Sequence, residues 1–362
     1  MVARTCGSLI TTATNVPSVN LQRLPKVVLH DHLDGGLRSQ TVIELADAVG
    51  YPGLPTADAD DLARWFFQGD AGSLEEYLAA FDHTIGVMQT NDAVERVAFE
   101  AGADLANDGV VYAELRFAPS GHVGRGLSRT EVLEAALAGM ERAEAEHGIV
   151  MRIIVDALRQ HSDSDEVAAA AIEMKGGVVG FDLAGPEAGF PAKQHRRACE
   201  AALEAGLGLT IHAGEGDGVA SIAEALDCGA QRIGHGVRIV EDLVVLGGEL
   251  RDVGPTAQRL LDESIVLEVC PTSNIDTKMF AGPEDHPLGL LRRSGFAVTL
   301  NTDNRLMSGT SMSAEYGIAR DHHGFDRIEL RDVTLRAIDS AFCDDSTRDL
   351  VRSRIEAGYA AP

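Results

Sequence analysis

Two histidines one residue apart, His30 and His32, follow a short apolar run over 25–29. An extended chain sends side chains i and i+2 to one face. The pair would therefore aim two imidazoles at one point, as a metal centre needs. The same spacing serves equally for a satisfied or a surface pair. Three later segments also end in residues suited to chemistry: Thr210-Ile211-His212-Ala213-Gly214-Glu215, Ile233-Gly234-His235-Gly236 and Leu300-Asn301-Thr302-Asp303-Asn304. A single His or Asp at a strand end is more often structural, so the signal lies in the set. If the fold brings them to one mouth, His30, His32, His212 and Asp303 offer three imidazoles and a carboxylate, a combination that suits zinc and a reactive water. Glu215, just beyond His212, fits a general acid if an apolar pocket keeps it protonated. His235 is not needed in the metal set and is free to deprotonate or orient the attacking water. A metal, a base and a separate acid together describe hydrolytic attack on an unsaturated carbon.

Positioning these residues requires a particular arrangement of elements. Short β-rich runs over 27–32, 110–119, 150–157, 178–184, 207–213, 232–236, 265–270 and 297–302 alternate with helical stretches over 129–146, 164–175, 193–205, 219–227 and 256–263. Strands that alternate with helices imply a parallel sheet. Eight such units predict an α/β chain folded as a single (β/α)8 TIM-type barrel over 21–362, after an N-terminal tail over 1–20, and chemistry in such barrels gathers at the C-terminal strand ends. Extra helices are expected after strand one and at the C-terminus. A doubly wound sheet is the alternative, weakened because no G-x-G-x-x-G follows an early strand. Helical patterns over 40–49, 58–67, 74–88 and 92–107 predict a lid insertion at about 38–108, above the barrel mouth. In Leu74-x-x-Tyr77-Leu78-x-x-Phe81 the apolar residues recur at helical spacing. Core packing is the commoner use of such a stripe, and a substrate-facing helix the sharper one.

Composition narrows the partners. The chain has 362 residues, of which 45% are hydrophobic, enough for a large core, and its formal charge of −25 repels nucleic acid and anionic membranes. A neutral small molecule meets no such barrier. Cys6, Cys199, Cys228, Cys270 and Cys343 are scattered and form no C-x-x-C pair, so they support neither a disulfide framework nor a cysteine zinc site. Reduced thiols and the absence of a long apolar run fit a cytoplasmic protein. The sequence carries no signal for oligomeric state.

The segments Pro25-Lys26-x-x-Leu29-His30-x-His32-Leu33-Asp34-Gly35, Gly180-Phe181-Asp182-Leu183-Ala184-Gly185, His212-Ala213-Gly214-Glu215, Arg232-Ile233-Gly234-His235-Gly236, Cys270-Pro271-x-Ser273-Asn274 and Asn301-Thr302-Asp303 occur in this order. Together they resemble the adenosine deaminase family over most of the chain. The resemblance implies a zinc-dependent amidohydrolase barrel, with one Zn2+ per chain, that converts adenosine, and by extension 2′-deoxyadenosine, to inosine and ammonia in purine salvage. It places His30, His32, His212 and Asp303 on the metal, Glu215 as proton donor to the purine, and His235 and Asp303 beside the attacking oxygen. It further implies that Asp34, with His32 nearby, meets a ribose hydroxyl, that the Gly185 N–H binds purine N3, and that the 74–81 stripe is an apolar substrate cap. Two departures stand out. Asn304 occupies the position of an Asp that contacts purine N7, and an Asn amide can donate there without any pKa shift. Pro186 follows Gly185 where an acidic residue is common, which leaves the Gly185 donor intact.

Other readings make different demands. Deamination of another 6-aminopurine, such as adenine or an aminofutalosine-like nucleoside, would use a closely related site. A two-metal amidohydrolase would usually need a bridging lysine or carboxylate after the fourth strand, where this chain has Asp182-Leu183-Ala184-Gly185, and would leave Glu215 idle. A silent binding barrel would have no use for both acid and base. Cys270 and Asn274 are read as supporting residues, and His286 receives no direct chemistry. His83, His122, His147, His161, His195, His322 and His323 read as surface or packing residues. Strand alternation turns Asp31 away from the metal pair.

Overall fold

Eight parallel strands carry the fold of the computed structural model, which describes residues 20–67, 69 and 80–361. They are β1 (Lys26–His32), β2 (Val110–Phe117), β3 (Val150–Leu158), β4 (Val178–Ala184), β5 (Gly208–Ala213), β6 (Arg232–His235), β9 (Val266–Val269) and β10 (Ala297–Leu300), hydrogen-bonded in that order. Closure runs through the chain just past β10. Leu29 N–H donates to Asn301 Oδ1 at 2.9 Å, His32 N–H to Asp303 O at 2.7 Å, and Asp303 N–H to His30 O at 3.0 Å. The end of the last strand is thereby set against the end of the first. Because helices cover the outside and side chains fill the inside, the strands are buried on both faces and read as apolar runs.

Asp31 belongs to this seam. It is fully buried and accepts from Thr302 Oγ1 at 2.6 Å and Arg305 Nε at 2.8 Å, tying β1 to the loop after β10. A second buried ionic group fills the barrel interior. Arg116 donates to Asp182 Oδ2 and Glu268 Oε2, both at 2.7 Å, and Arg232 donates to Glu268 Oε1 at 2.7 Å and Glu114 Oε2 at 2.6 Å. Each buried charge is thus paired, as a desolvated charge must be.

Between β1 and β2 lie helices Ser39–Val49, Ala59–Phe66, Phe81–Val87 and Asn91–Asn107. The 74–81 stripe falls outside the described residues apart from Ala80 and Phe81. After β10 come Met312–His323, Arg327–Ser340 and Asp345–Ala360, the expected C-terminal helices. Several boundaries differ from the pattern. The 110–119 run stops at Phe117, because Pro119 lacks an N–H and opens a 3-10 turn, Pro119–His122. The 193–205 helix divides into a 3-10 turn, Ala192–His195, and a helix, Arg196–Glu204. An antiparallel hairpin of β7 (Leu243–Leu246) and β8 (Glu249–Val253) joins β6 to the next helix, where the pattern showed no strand. No described helix is long and apolar enough to cross a membrane.

Candidate active site

The strand ends converge as the spacing of their polar residues demands. Side-chain ligand atoms of His30 and His32 from β1, His212 from β5 and Asp303 after β10 all lie within 4.8 Å of one another, and all four atoms belong to buried or nearly buried residues. His32 Nε2 stands 3.3 Å from His212 Nε2, and Asp303 Oδ1 is 3.4 Å from the Nε2 of both His30 and His32. Behind each ring, a carboxylate faces Nδ1. Glu268 Oε2 is 3.1 Å from His30, Asp182 Oδ2 is 2.9 Å from His212, and Asp156 Oδ2 is 3.3 Å from His32.

This donor set fits a metal ion. Carboxylates behind Nδ1 favour the tautomer with its proton there, leaving Nε2 lone pairs to point inward. Two such lone pairs 3.3 Å apart repel unless a proton or cation lies between them. His30 Nε2 is buried without a hydrogen-bond partner. Burial lowers the His212 pKa to about 4, favouring a neutral ligand. For His32, burial is outweighed by the hydrogen bond and charge of Asp156 and by Asp303, which raise it to about 9. Burial also opposes the charge on Asp303, but the contact with His30 and the charges of His235, His30 and His32 hold that carboxyl well below its usual range. Ser273 Oγ donates to Asp303 Oδ2 at 2.6 Å, so Oδ1 is the oxygen turned toward the imidazoles.

The loop after β5 and the end of β6 add the remaining groups. Glu215 Oε2 lies 3.5 Å from His235 Nε2, and both residues are buried. Burial raises the Glu215 pKa well above the ordinary carboxylate value, and the charges of Asp303 and Glu187 push it the same way. Burial lowers that of His235 well below the ordinary imidazole value. Glu187 orders the Glu215 loop by accepting from the amides of Gly214 (2.7 Å), Glu215 (3.0 Å) and Asp217 (3.1 Å). His235 and Asp303 take left-handed backbone angles, φ 60° and 57°, which side-chain-bearing residues rarely adopt. Such strain concentrates at functional sites.

A cavity of about 330 Å³ opens onto this cluster, with His32, Asp34, Phe81, Gly185, Glu215 and Asn304 in its wall. Gly185 has φ +86°, and a Cβ there would fall 2.6 Å from Gln160 Oε1, so glycine is required. Asn304 Oδ1 is buried without a partner, packed over Gly35. No lysine or arginine lines the cavity among the described residues. Every residue singled out from the sequence for the metal, the acid, the base and the purine is therefore at or beside one cavity. The reading missed Asp156, Asp182, Glu268, Glu187 and His122, which stands 3.5 Å behind Asp34 and is held by Met88 O. The first three had a signal, since each is a carboxylate inside a largely apolar strand.

A family model for adenosine deaminase matches residues 25–358. An adenosine deaminase of Mycobacterium ulcerans is 49% identical over 339 residues, covering 91% of this chain and 93% of its own. Among solved structures, an adenine deaminase from Arthrobacter aurescens superposes with TM-score 0.84 at 26% identity, covering 93% of this chain and all of its own. An amidohydrolase from Burkhoderia ambifaria with bound Zn superposes with TM-score 0.80 at 25% identity, covering 94% of this chain and 92% of its own.

Proposed function

The chain belongs to the adenosine deaminase family, and on that premise we propose that it hydrolyses adenosine to inosine and ammonia, accepts 2′-deoxyadenosine, and serves purine salvage in the cytoplasm. The observation that carries this reading is a buried carboxylic acid, Glu215, beside a three-histidine, one-carboxylate cluster in a cavity lined without lysine or arginine. His30, His32, His212 and Asp303 would hold one Zn2+ per chain. Zinc in such a site supplies a nucleophile at neutral pH by lowering the pKa of water from 15.7 to about 7.

The protein's own groups then act on the purine. Asp34 accepts from a sugar hydroxyl, and the Gly185 N–H donates to N3. Asn304 donates its amide to N7. Glu215, protonated because it is buried, gives its proton to N1, which draws electrons from C6 as an oxygen from water adds there. Asp303 and His235 hold that oxygen. The proton of the added hydroxyl then passes to N6, the C6–N6 bond breaks, ammonia leaves, and the 6-oxopurine remains, while the other proton of the water restores Glu215. Phe81, Asp82 and Ile85 on helix Phe81–Val87 line the cavity, so this helix covers part of its mouth and shields it from water.

Ammonia release and ultraviolet change across adenosine, 2′-deoxyadenosine, adenine and adenosine monophosphate test the reading. The highest kcat/KM is expected for adenosine, with the monophosphate poorest for want of a cationic partner. A strong preference for free adenine would overturn the nucleoside assignment.

A further inference from the structure

His235 has two possible neutral tautomers, and they do opposite things. With the proton on Nδ1, its Nε2 lone pair can take a proton from water. With the proton on Nε2, it can only donate a hydrogen bond to the oxygen that adds at C6. The choice is made outside the cavity. His235 Nδ1 is 3.0 Å from Asn274 Nδ2, and Asn274 Oδ1 is 3.2 Å from His286 Nε2. The chain ends where the backbone N–H of Leu288 donates to His286 Nδ1 at 3.1 Å. All three side chains are buried.

The last bond orders the rest. A backbone N–H can only donate, so His286 Nδ1 must accept. Burial, with the neighbouring His323, lowers the His286 pKa to about 3, so the ring is neutral and its one proton sits on Nε2. That N–H donates to Asn274 Oδ1, which turns the amide NH2 toward His235, with Met279 Sδ 3.8 Å from the same nitrogen. Reversing the amide would set its NH2 against the His286 N–H. The ambiguity that usually attends amide and imidazole orientation is thereby removed by a group that cannot flip.

We infer that Asn274 and His286 are positioning residues that lock His235 with its proton on Nε2, making it a hydrogen-bond donor to the reacting oxygen and not the base. The inference rests on the deaminase reading for its catalytic consequence, while the tautomer itself stands on hydrogen bonding alone. It resolves the two roles the sequence left open for His235 in favour of orienting the oxygen.

The test uses the full-length, metal-loaded enzyme labelled with 15N-histidine, the His235 signals being assigned by their loss in His235→Ala. In the parent protein Nε2 should be protonated and Nδ1 bare, a result that needs no turnover and holds whichever purine is the substrate. Asn274→Asp keeps the shape but offers only acceptors, so the His235 proton should move to Nδ1. With Nε2–H lost, kcat on adenosine should fall about 100-fold, the usual size of one lost oxyanion donor, at unchanged KM and metal content. If the variant ring instead carries protons on both nitrogens, kcat should stay within a few-fold of the parent. Throughout, kcat follows the Nε2 proton. A parent ring protonated on Nδ1 would overturn the inference. So would undiminished kcat in a variant whose Nε2 is bare, or lost kcat in one that keeps its Nε2–H.

Discussion

Glu215 is the residue whose chemistry depends most on its surroundings. Its raised pKa comes first from burial and then from the charges of Asp303 and Glu187. An acid that works only when protonated loses activity as pH rises through its pKa, so the alkaline limb of kcat should report Glu215. Glu215→Gln keeps the size and a donor but has no transferable proton. Metal content should be unchanged and turnover should fall by about 10²–10⁴, the span of general acid catalysis, with the alkaline limb gone. Near-parent turnover with metal retained would sink the acid assignment. The visible residues of this site were those whose meaning is local: His30 and His32 share a face because they are two apart, and His212 and Asp303 end apolar runs. Asn274 was legible as a supporting residue, but what it and His286 do was hidden, because their roles pass through other side chains, and the Leu288 amide that orients them leaves no mark in sequence. Asp31 was read correctly as facing away from the metal pair, but its partner Arg305 is 274 positions distant.

Elements are held to the site by contacts that also titrate. The short helix Pro271–Asp276 carries Ser273 and Asn274 to the metal cluster and His235. Its first turn is pinned by Glu315, on helix Met312–His323, which accepts from Thr272 N–H at 3.1 Å and from the Thr310 hydroxyl. Burial raises the Glu315 pKa to about 7; the Thr272 and Thr310 hydrogen bonds oppose it and the charge of Asp276 adds to it. A folded pKa above the unfolded value means stability that is fully present below the unfolded pKa and is lost as pH rises through the folded one. The window runs from the ordinary carboxylate value of 4.5 to about 7, and the loss reaches at most about 3 kcal/mol by pH 8. Glu315→Gln removes the ionisation, and the Thr310 hydroxyl can turn to accept from the new amide. The variant should melt about 2–4 °C above the parent at pH 8 and close to it at pH 5, as read by thermal denaturation. An equal difference at both values would refute the linkage. At this scale the hairpin of β7 and β8 escaped notice although Leu243-Val244-Val245-Leu246 precedes Gly247-Gly248, a recognisable hairpin turn. Its strands have exposed residues and few neighbours, so no long apolar run marks them.

The whole barrel was legible because its strands are buried on both faces and stand out as apolar runs between Ala- and Glu-rich helices. Its closure was not, since the bonds from Leu29 to Asn301 and from His32 to Asp303 join opposite ends of the chain. The same closure makes the metal a structural partner of the whole molecule. Its four proposed ligands come from β1, β5 and the segment after β10, so they meet across the mouth, not within one loop. Without a cation, the inward nitrogens of His32 and His212 face each other at 3.3 Å, and Asp303 is left to share what protons the rings carry. A ligand that binds only the folded state stabilises it by about 2.7 kcal/mol at a hundredfold excess over its Kd. For a chain of this length that corresponds to about 4 °C in Tm. Dialysis against a chelator should lower Tm by at least this amount and abolish ammonia release, and stoichiometric zinc, one per chain by elemental analysis, should restore both. Chelation that removes activity and leaves Tm unmoved would place the metal outside the cross-barrel cluster. Two zinc ions per chain would instead favour the two-metal hydrolase.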